Sequence, residues 1–269
     1  LNKSIAILGC GWLGLPLAKT LLDSGYRVHG STTTPEKLEK LSGEGINPYL
    51  VELGISGISA QLADFLNGID ILIIAVPPGL RKGSVGSFLR KMEGVHKAVL
   101  ASKVRHLVFI SSTSVYGPGP GIITEESPPE PQTASGRELV QVEALFRSDP
   151  GLQTIVVRPG GLIGPDRHPV TRLAGRKGLT NGSDFVNLIH QADTIHLIET
   201  VIENEHWNKV FNAVYPAHPT KRDYYSREAR IRQIAVPGYA PLESGMPGKW
   251  VKSSLFLSYS YSFFSSIFS

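Results

Sequence analysis

The chain has 269 residues, enough for one large domain or a domain with a smaller satellite, and its 41% apolar and 19% charged residues are ordinary for a chain that buries a core. A net charge of +4, spread along the sequence, gives little support to a nucleic-acid reader and suits an anionic small ligand equally well. The one cysteine, Cys10, excludes an intramolecular disulfide and any multi-cysteine metal site.

The first residues run straight into an apolar strand pattern without a signal-peptide signature, and no apolar run is long enough to span a bilayer. A cytoplasmic protein with no membrane partner is therefore expected. Ser4 to Leu8 reads as a buried strand, followed by glycines and a helix from about Leu13 to Ser24. Tyr26 to Gly30 is a second strand, and Pro35 to Leu41 a helix with Thr34 as its expected N-cap. Asn47 to Leu53 suggests a third strand. Ile69 to Val76 is the clearest buried strand and stops at Pro77-Pro78. A helix over roughly Ser84 to Ser102 leads to the strand His106 to Ile110. Such alternation means βαβ units and a parallel sheet, with ligands at the carboxyl ends of the strands, where Ala75, Val76 and Pro77 fall.

From Gly117 to about Gln132 the chain reads as a loop rich in Pro, Gly and acid, in which Glu125 and Glu126 are expected on the surface. A helix (Ala134 to Ser148) and the strand Thr154 to Arg158 follow, and beyond Gly160 the elements shorten. The expected architecture is α/β: a Rossmann doubly wound parallel sheet over residues 1–165, and a small C-terminal α/β substrate lobe over 166–269 whose chain crosses back to the sheet. The uncharged Ser/Phe/Tyr tail, Leu255 to Ser269, reads as a closing strand.

Gly9-Cys10-Gly11-Trp12-Leu13-Gly14 fits G-x-G-x-x-G, and its place between a strand and a helix gives the match its weight. Gly9 permits the tight turn, Gly11 lets the backbone approach a pyrophosphate, and Gly14 lets the helix pack on the strand. The N–H groups around Trp12 and Leu13 open the helix and offer it a partial positive charge. Cys10 reads as a small buried residue. NAD binders place an acid about twenty residues on, but here the strand ends in Ser31-Thr32-Thr33-Thr34. Thr32, Thr33 and Lys37 would tolerate or bind a 2′-phosphate, so NADP is the expected cofactor and NAD the alternative.

Three further stretches carry a resemblance: Ile110 to Gly117 (ISSTSVYG), Arg158 to Pro165 (RPGGLIGP), and Asn187 to Asp193 (NLIHQAD) before a helix and the strand Val210 to Ala213. With the glycine turn, over about residues 4 to 255, the chain resembles the extended short-chain dehydrogenases/reductases of the NAD(P)-dependent epimerase/dehydratase group. The opening GCGWLGLPLA and Pro219 to Tyr225 resemble an atypical branch, nucleoside-diphosphate-sugar epimerases without a settled substrate. The resemblance implies a small-molecule substrate such as a nucleotide sugar, a cofactor contact at Pro159, and a homodimer through helices that include residues 134–148.

In that family a Ser or Thr four residues before the Tyr of V-Y-G polarises the substrate, which is Ser112 here. The base is the Tyr of a Y-x-x-x-K pair, whose Lys lowers the Tyr pKa. Alignment on Leu139 to Glu143 puts Ser135 at the Tyr and Leu139 at the Lys, and no Tyr of the chain has Lys four residues on. A serine unaided is a poor base. Tyr116 is the candidate replacement, with packing at a strand end as its other reading, and the candidate catalytic residues are Ser112, Tyr116 and Ser135. Arg137 reads as a solvated helix residue or an anion clamp. His190 and Asp193 lack further metal ligands, so no metal is expected. Lys221, Arg222, Arg227, Arg230 and Arg232, with Tyr224 and Tyr225, read as an amphipathic helix or an anion-holding cluster. Two functions remain open: an NAD(P)-dependent epimerase, dehydratase or reductase with an atypical site, and a non-catalytic NAD(P)-binding redox sensor or scaffold.

Overall fold

A computed structural model describes residues 3–54, 60–78, 88–241 and 247–269. Its elements run β1 (Ser4–Leu8), α1 (Gly14–Asp23), β2 (Arg27–Thr32), α2 (Lys37–Gly43), β3 (Asn47–Leu50), α3 (Ala60–Phe65), β4 (Ile71–Ile74), α4 (Phe88–Leu100) and β5 (His106–Ile110). Then come β6 (Gly121–Ile123), α5 (Ala134–Arg147), β7 (Gln153–Pro159), β8 (Gly161–Ile163), α6 (Val170–Leu173), β9 (Leu188–His190), α7 (Gln191–Glu203), β10 (Val210–Ala213), α8 (Lys221–Ile231), β11 (Lys249–Val251) and α9 (Ser254–Ser258). Residues 84–87 of the expected helix before β5 lie outside the described residues.

The strands of the main sheet are ordered β10-β7-β5-β4-β1-β2-β3. Parallel pairing is registered, for example, Ile5 to Val28 on one side of β1 and Ile5 to Ile71 on the other. β1 and β4 are buried at every position, and all their residues but Ser4 are apolar, as expected of strands covered on both faces. β3 tolerates Pro48 because it is an edge strand, where a missing N–H costs no ladder bond. Chain order reverses beside β1, which has β2 on one side and β4 on the other, and such a switch point opens a crevice at the carboxyl edge. This is the expected Rossmann-type α/β sheet.

Two compact units divide the chain: Leu1–Ser112, Thr133–Val157 and Ile198–Val210 form the first, and Thr113–Gln132, Arg158–Leu197 and Phe211–Ser269 the second. The sequence suggests a boundary at 165, with the chain of the second lobe crossing back to the sheet. The compact units interleave along the chain: the helix at 134–147 and most of the strand after it belong to the first unit again after the 113–132 excursion.

In the first unit, Thr133 Oγ1 accepts from Gly136 N at 3.0 Å and caps α5, a contact worth about 1 kcal/mol. The cap expected at Thr34 does not form. α2 starts at Lys37 without a side-chain cap, and Thr34 instead donates its N–H to Thr32 Oγ1 in a local turn.

The second unit has the parallel pairs β6–β11 and β8–β9, and a core that gathers Ile163, Val170, Val186, Leu188, Tyr224, Ala229 and Ile267. The 117–132 stretch, read as loop, thus contributes a strand once β11 pairs with it. The tail does not form the expected closing strand: it gives the short helix α9 and then irregular chain. Its aromatic rings cluster locally, Phe256 lying 5.1 Å from Tyr261 and 5.0 Å from Phe263, and Ile267 enters the core at 1% exposure. Buried Asp193 accepts from Phe264 N at 2.9 Å and Ser265 N at 3.1 Å, so the tail backbone bonds a side chain in place of a ladder. Among the described residues no helix is long and apolar enough to cross a membrane.

Candidate functional site

The glycine turn after β1 is built as its residue types require. Gly9 has φ +103°, and a Cβ there would stand 2.7 Å from Val76 Cγ1. At Gly14 a Cβ would lie 2.1 Å from Gly9 O, so α1 can close on the turn only without one. Gly11 is the opposite case: a Cβ on it meets nothing within 4 Å. That open space is where a ligand phosphate would approach the backbone. β2 ties the turn down, Cys10 N donating to Ser31 O and Gly9 N to Ser31 Oγ, each at 2.8 Å. α1 has no acidic residue in its first turn, so its partial positive charge is left for an anion. Burial pushes the Cys10 thiol up to about 12, which keeps it protonated and inert at neutral pH.

Above this turn lies a cavity of about 460 Å³, within the first unit. Its walls bring together Gly9, Gly11, Thr32, Thr33, Lys37, Val76 and Pro77 of the expected cofactor contacts. Trp12, Leu13, Gly14 and Ala75 do not line it; Ala75 N bonds Leu8 O, and Leu13 is packed at 8% exposure. Pro159 ends β7 in the second unit. The wall also holds residues that were not expected: Val51, Glu52 and Leu53 beyond β3, and Phe88, Lys91 and Glu138 from α4 and α5. The first three could have been inferred, since they follow a strand at the same sheet edge. No local pattern marks the last three, which come together through helix packing.

Ser112 and Ser135 are half-buried residues of the first unit, Ser112 just beyond β5 and Ser135 on the first turn of α5. Leu139 is 2% exposed in the apolar face of α5, so that position offers the site no charge. Arg137 is exposed.

Tyr116 lies in the second unit at 3% exposure. Its hydroxyl accepts from Arg158 Nη1 at 2.8 Å and has Asn212 Oδ1 at 2.8 Å and Thr124 O at 3.1 Å as acceptors. Burial raises its pKa while Arg158 pulls it down. Lys249 Nζ donates to the carbonyls of Thr113 and Tyr116 at 2.8 and 2.9 Å, fixing this turn. Glu125, expected on the surface, accepts from Asn212 N at 3.1 Å and from the N–H groups that open α9; burial raises its pKa. Its acidic loop is pinned because those N–H groups need an acceptor. His190 ends β9, its Nδ1 accepting from Ala192 N at 3.2 Å.

The second unit has its own cavity, about 810 Å³, lined among others by Arg167, Arg172, Arg176, Lys221, Tyr225 and Tyr239. Asp166 is the carboxylate in that lining. Lys221 pairs with Asp184 at 2.9 Å, and α8 buries Tyr224 and Tyr225 while Arg222 stands over the Tyr239 ring. The cationic stretch is thus an amphipathic helix with one face in this cavity.

Residues 9–205 match the NAD(P)H-binding family. Protein YeeZ of Escherichia coli (strain K12) is 34% identical over 256 residues, which cover 94% of this chain and 92% of that protein. UDP-glucuronic acid 4-epimerase from Bacillus cereus, solved with UDP-glucuronic acid and NAD, superposes with a TM-score of 0.79 at 20% identity over 98% of this chain and 95% of that one. MoeE5, solved with UDP-glucose and NAD, superposes with a TM-score of 0.79 at 19% identity over 99% of this chain and 95% of that one. At such identities the shared property is the fold. The chain belongs to the NAD(P)H-binding family and has the fold of the UDP-glucuronic acid 4-epimerase from Bacillus cereus.

Proposed function

We propose that this protein is an NADP-dependent enzyme of epimerase, dehydratase or reductase type acting on a nucleotide sugar or a related anionic small molecule. The observation that carries the reading is the cavity over the glycine turn, where β2 runs out through Thr32, Thr33 and Thr34, with Lys37 beside them, and the carboxylates of the lining come from elsewhere, Glu52 beyond β3 and Glu138 of α5. A bound dinucleotide supplies hydride transfer. The chain contributes the open approach at Gly11 and the uncompensated end of α1 for the pyrophosphate. Thr33 and Lys37 are assigned to the 2′-phosphate, where a carboxylate would repel it. Ser112 and Ser135 are the hydroxyls assigned to the substrate. Tyr116, its hydroxyl held by Arg158 and Asn212, is assigned to holding the V-Y-G turn in shape. The cations of the second unit's cavity are assigned, within that unit, to an anionic ligand such as a nucleotide sugar.

One observation favours a second reading. The buried Leu139 removes the ammonium that would activate a base, and a protein that binds the dinucleotide without turning over substrate fits that loss.

Calorimetric titration with NADPH, NADP, NADH and NAD, alone and with UDP-glucose or UDP-glucuronic acid, separates the two. Cofactor binding strengthened by one sugar supports the enzyme. Binding indifferent to every sugar supports the sensor, and equal affinity for NADPH and NADH removes the case for NADP.

A further inference from the structure

The cavity over the glycine turn contains a second cation. Lys91 of α4 lines the same wall as Gly9, Gly11 and Val76, and it is half-buried. Much of the remaining lining is apolar: Leu8, Val51, Leu53, Val76, Pro77 and Phe88. Among the described residues the Lys91 ammonium has no hydrogen bond or ion pair. An ammonium held against apolar wall loses hydration, and it regains that free energy only by meeting an anion.

The fold places Lys91 with purpose. Lys37 follows β2 and Lys91 follows β4, the two strands that flank β1 and its glycine turn. The cations therefore stand on opposite sides of the place where N–H groups and the start of α1 attract a phosphate. Phe88, which opens α4, donates its N–H to Glu138 Oε1 at 3.0 Å. The Glu138 carboxylate, projecting from α5, thereby holds the described start of α4, and Lys91 sits three residues further on.

We propose that Lys91 binds the pyrophosphate of the dinucleotide, and that Glu138 positions it by holding the start of α4. This rests on the reading that the cavity is the cofactor site. A pyrophosphate is common to both nicotinamide dinucleotides, whereas the 2′-phosphate belongs to one. A pyrophosphate contact therefore affects both cofactors equally.

The test is calorimetric titration of the full chain with NADH and NADPH, using Lys91→Met, Lys91→Arg and, as a charge control on the exposed last turn of α4, Lys97→Met. Lys91→Met is expected to weaken both cofactors by the same factor, about tenfold. Lys91→Arg should retain most of the affinity, Lys97→Met all of it, and melting temperatures should stay within a few degrees. Glu138→Ala should weaken both cofactors in the wild-type background and add little to Lys91→Met, with Glu138→Gln restoring most of the loss. Unchanged affinity in folded Lys91→Met overturns the proposal, and so does a loss confined to NADPH. If folded wild-type protein binds neither cofactor, the reading of the cavity falls and takes this assignment with it.

Discussion

The two units each hold a cavity, and they are lined in different ways. In the first unit the wall sets two lysines, Lys37 and Lys91, against two carboxylates, Glu52 and Glu138, so on the proposed reading an anion there is drawn largely by backbone: an open glycine and a helix start without acid. In the second unit the wall carries Arg167, Arg172, Arg176 and Lys221, the last paired with Asp184, and Asp166 is the carboxylate of the lining, so on the proposed reading an anion there is drawn by side chains. Backbone recognition depends on close approach and fails sterically. Side-chain recognition depends on charge and weakens in steps. Variants can therefore break one cavity and leave the other intact.

The largest effect is expected at Gly11. A side chain there projects into open space and need not disturb the fold, but Gly11→Asp puts a carboxylate where phosphate must come. NADPH and NADH affinity should fall by about a hundredfold or more, with an unchanged far-ultraviolet spectrum. Normal binding in the folded variant would remove the turn from the site. Next comes the double variant Arg172→Ala/Arg176→Ala, on the other cavity. Titration with UDP-glucuronic acid should show a loss of about ten- to a hundredfold while NADPH binding holds; a matched loss of both ligands would show that the two cavities do not recognise them separately. Lys37→Ala should cost NADPH about fivefold and NADH nothing, and an equal loss of both would end the 2′-phosphate assignment.

The smallest effect sharpens the comparison through pH. Burial pulls the His168 and His218 imidazoles, both in the second unit, down from 6.5 to about 4. In the folded chain they stay neutral where the unfolded chain protonates them. Between about pH 6.5 and 4 the unfolded state therefore binds more protons, and stability falls as the pH is lowered through that window. Above 6.5 the contribution is flat. Melting temperatures from pH 7.5 to 4.5 should decline less in His218→Gln than in wild type, and parallel curves would show that His218 titrates normally.

Much of the fold could be read directly from the chain. The strand His106–Ile110 has the bounds its apolar run suggests, and the glycine turn lies between a strand and a helix as its motif demands. Both depend on residues adjacent in sequence, whose burial and backbone freedom are encoded in their own types. The tail was misleading for the same reason. Its alternation of Ser with aromatics has the period of a strand, but a strand needs a partner, and Asp193, seventy-odd residues earlier, bonds that backbone instead. Glu125 likewise looks like a solvated loop acid until the start of α9 reaches it.

By itself, then, the sequence determined the parallel sheet, the glycine turn at Gly9 to Gly14, the acid-free end of β2 and the absence of a Tyr-x-x-x-Lys pair, each carried by neighbouring residues or by composition. Tertiary structure alone decided that Tyr116 spends its hydroxyl on Arg158 and Asn212, that Leu139 is sealed in a core, and that Lys91 and Glu138 enter the wall of the cavity over the glycine turn. Those outcomes join side chains tens of residues apart. Which of them meet is set by helix and strand packing, which no local pattern records.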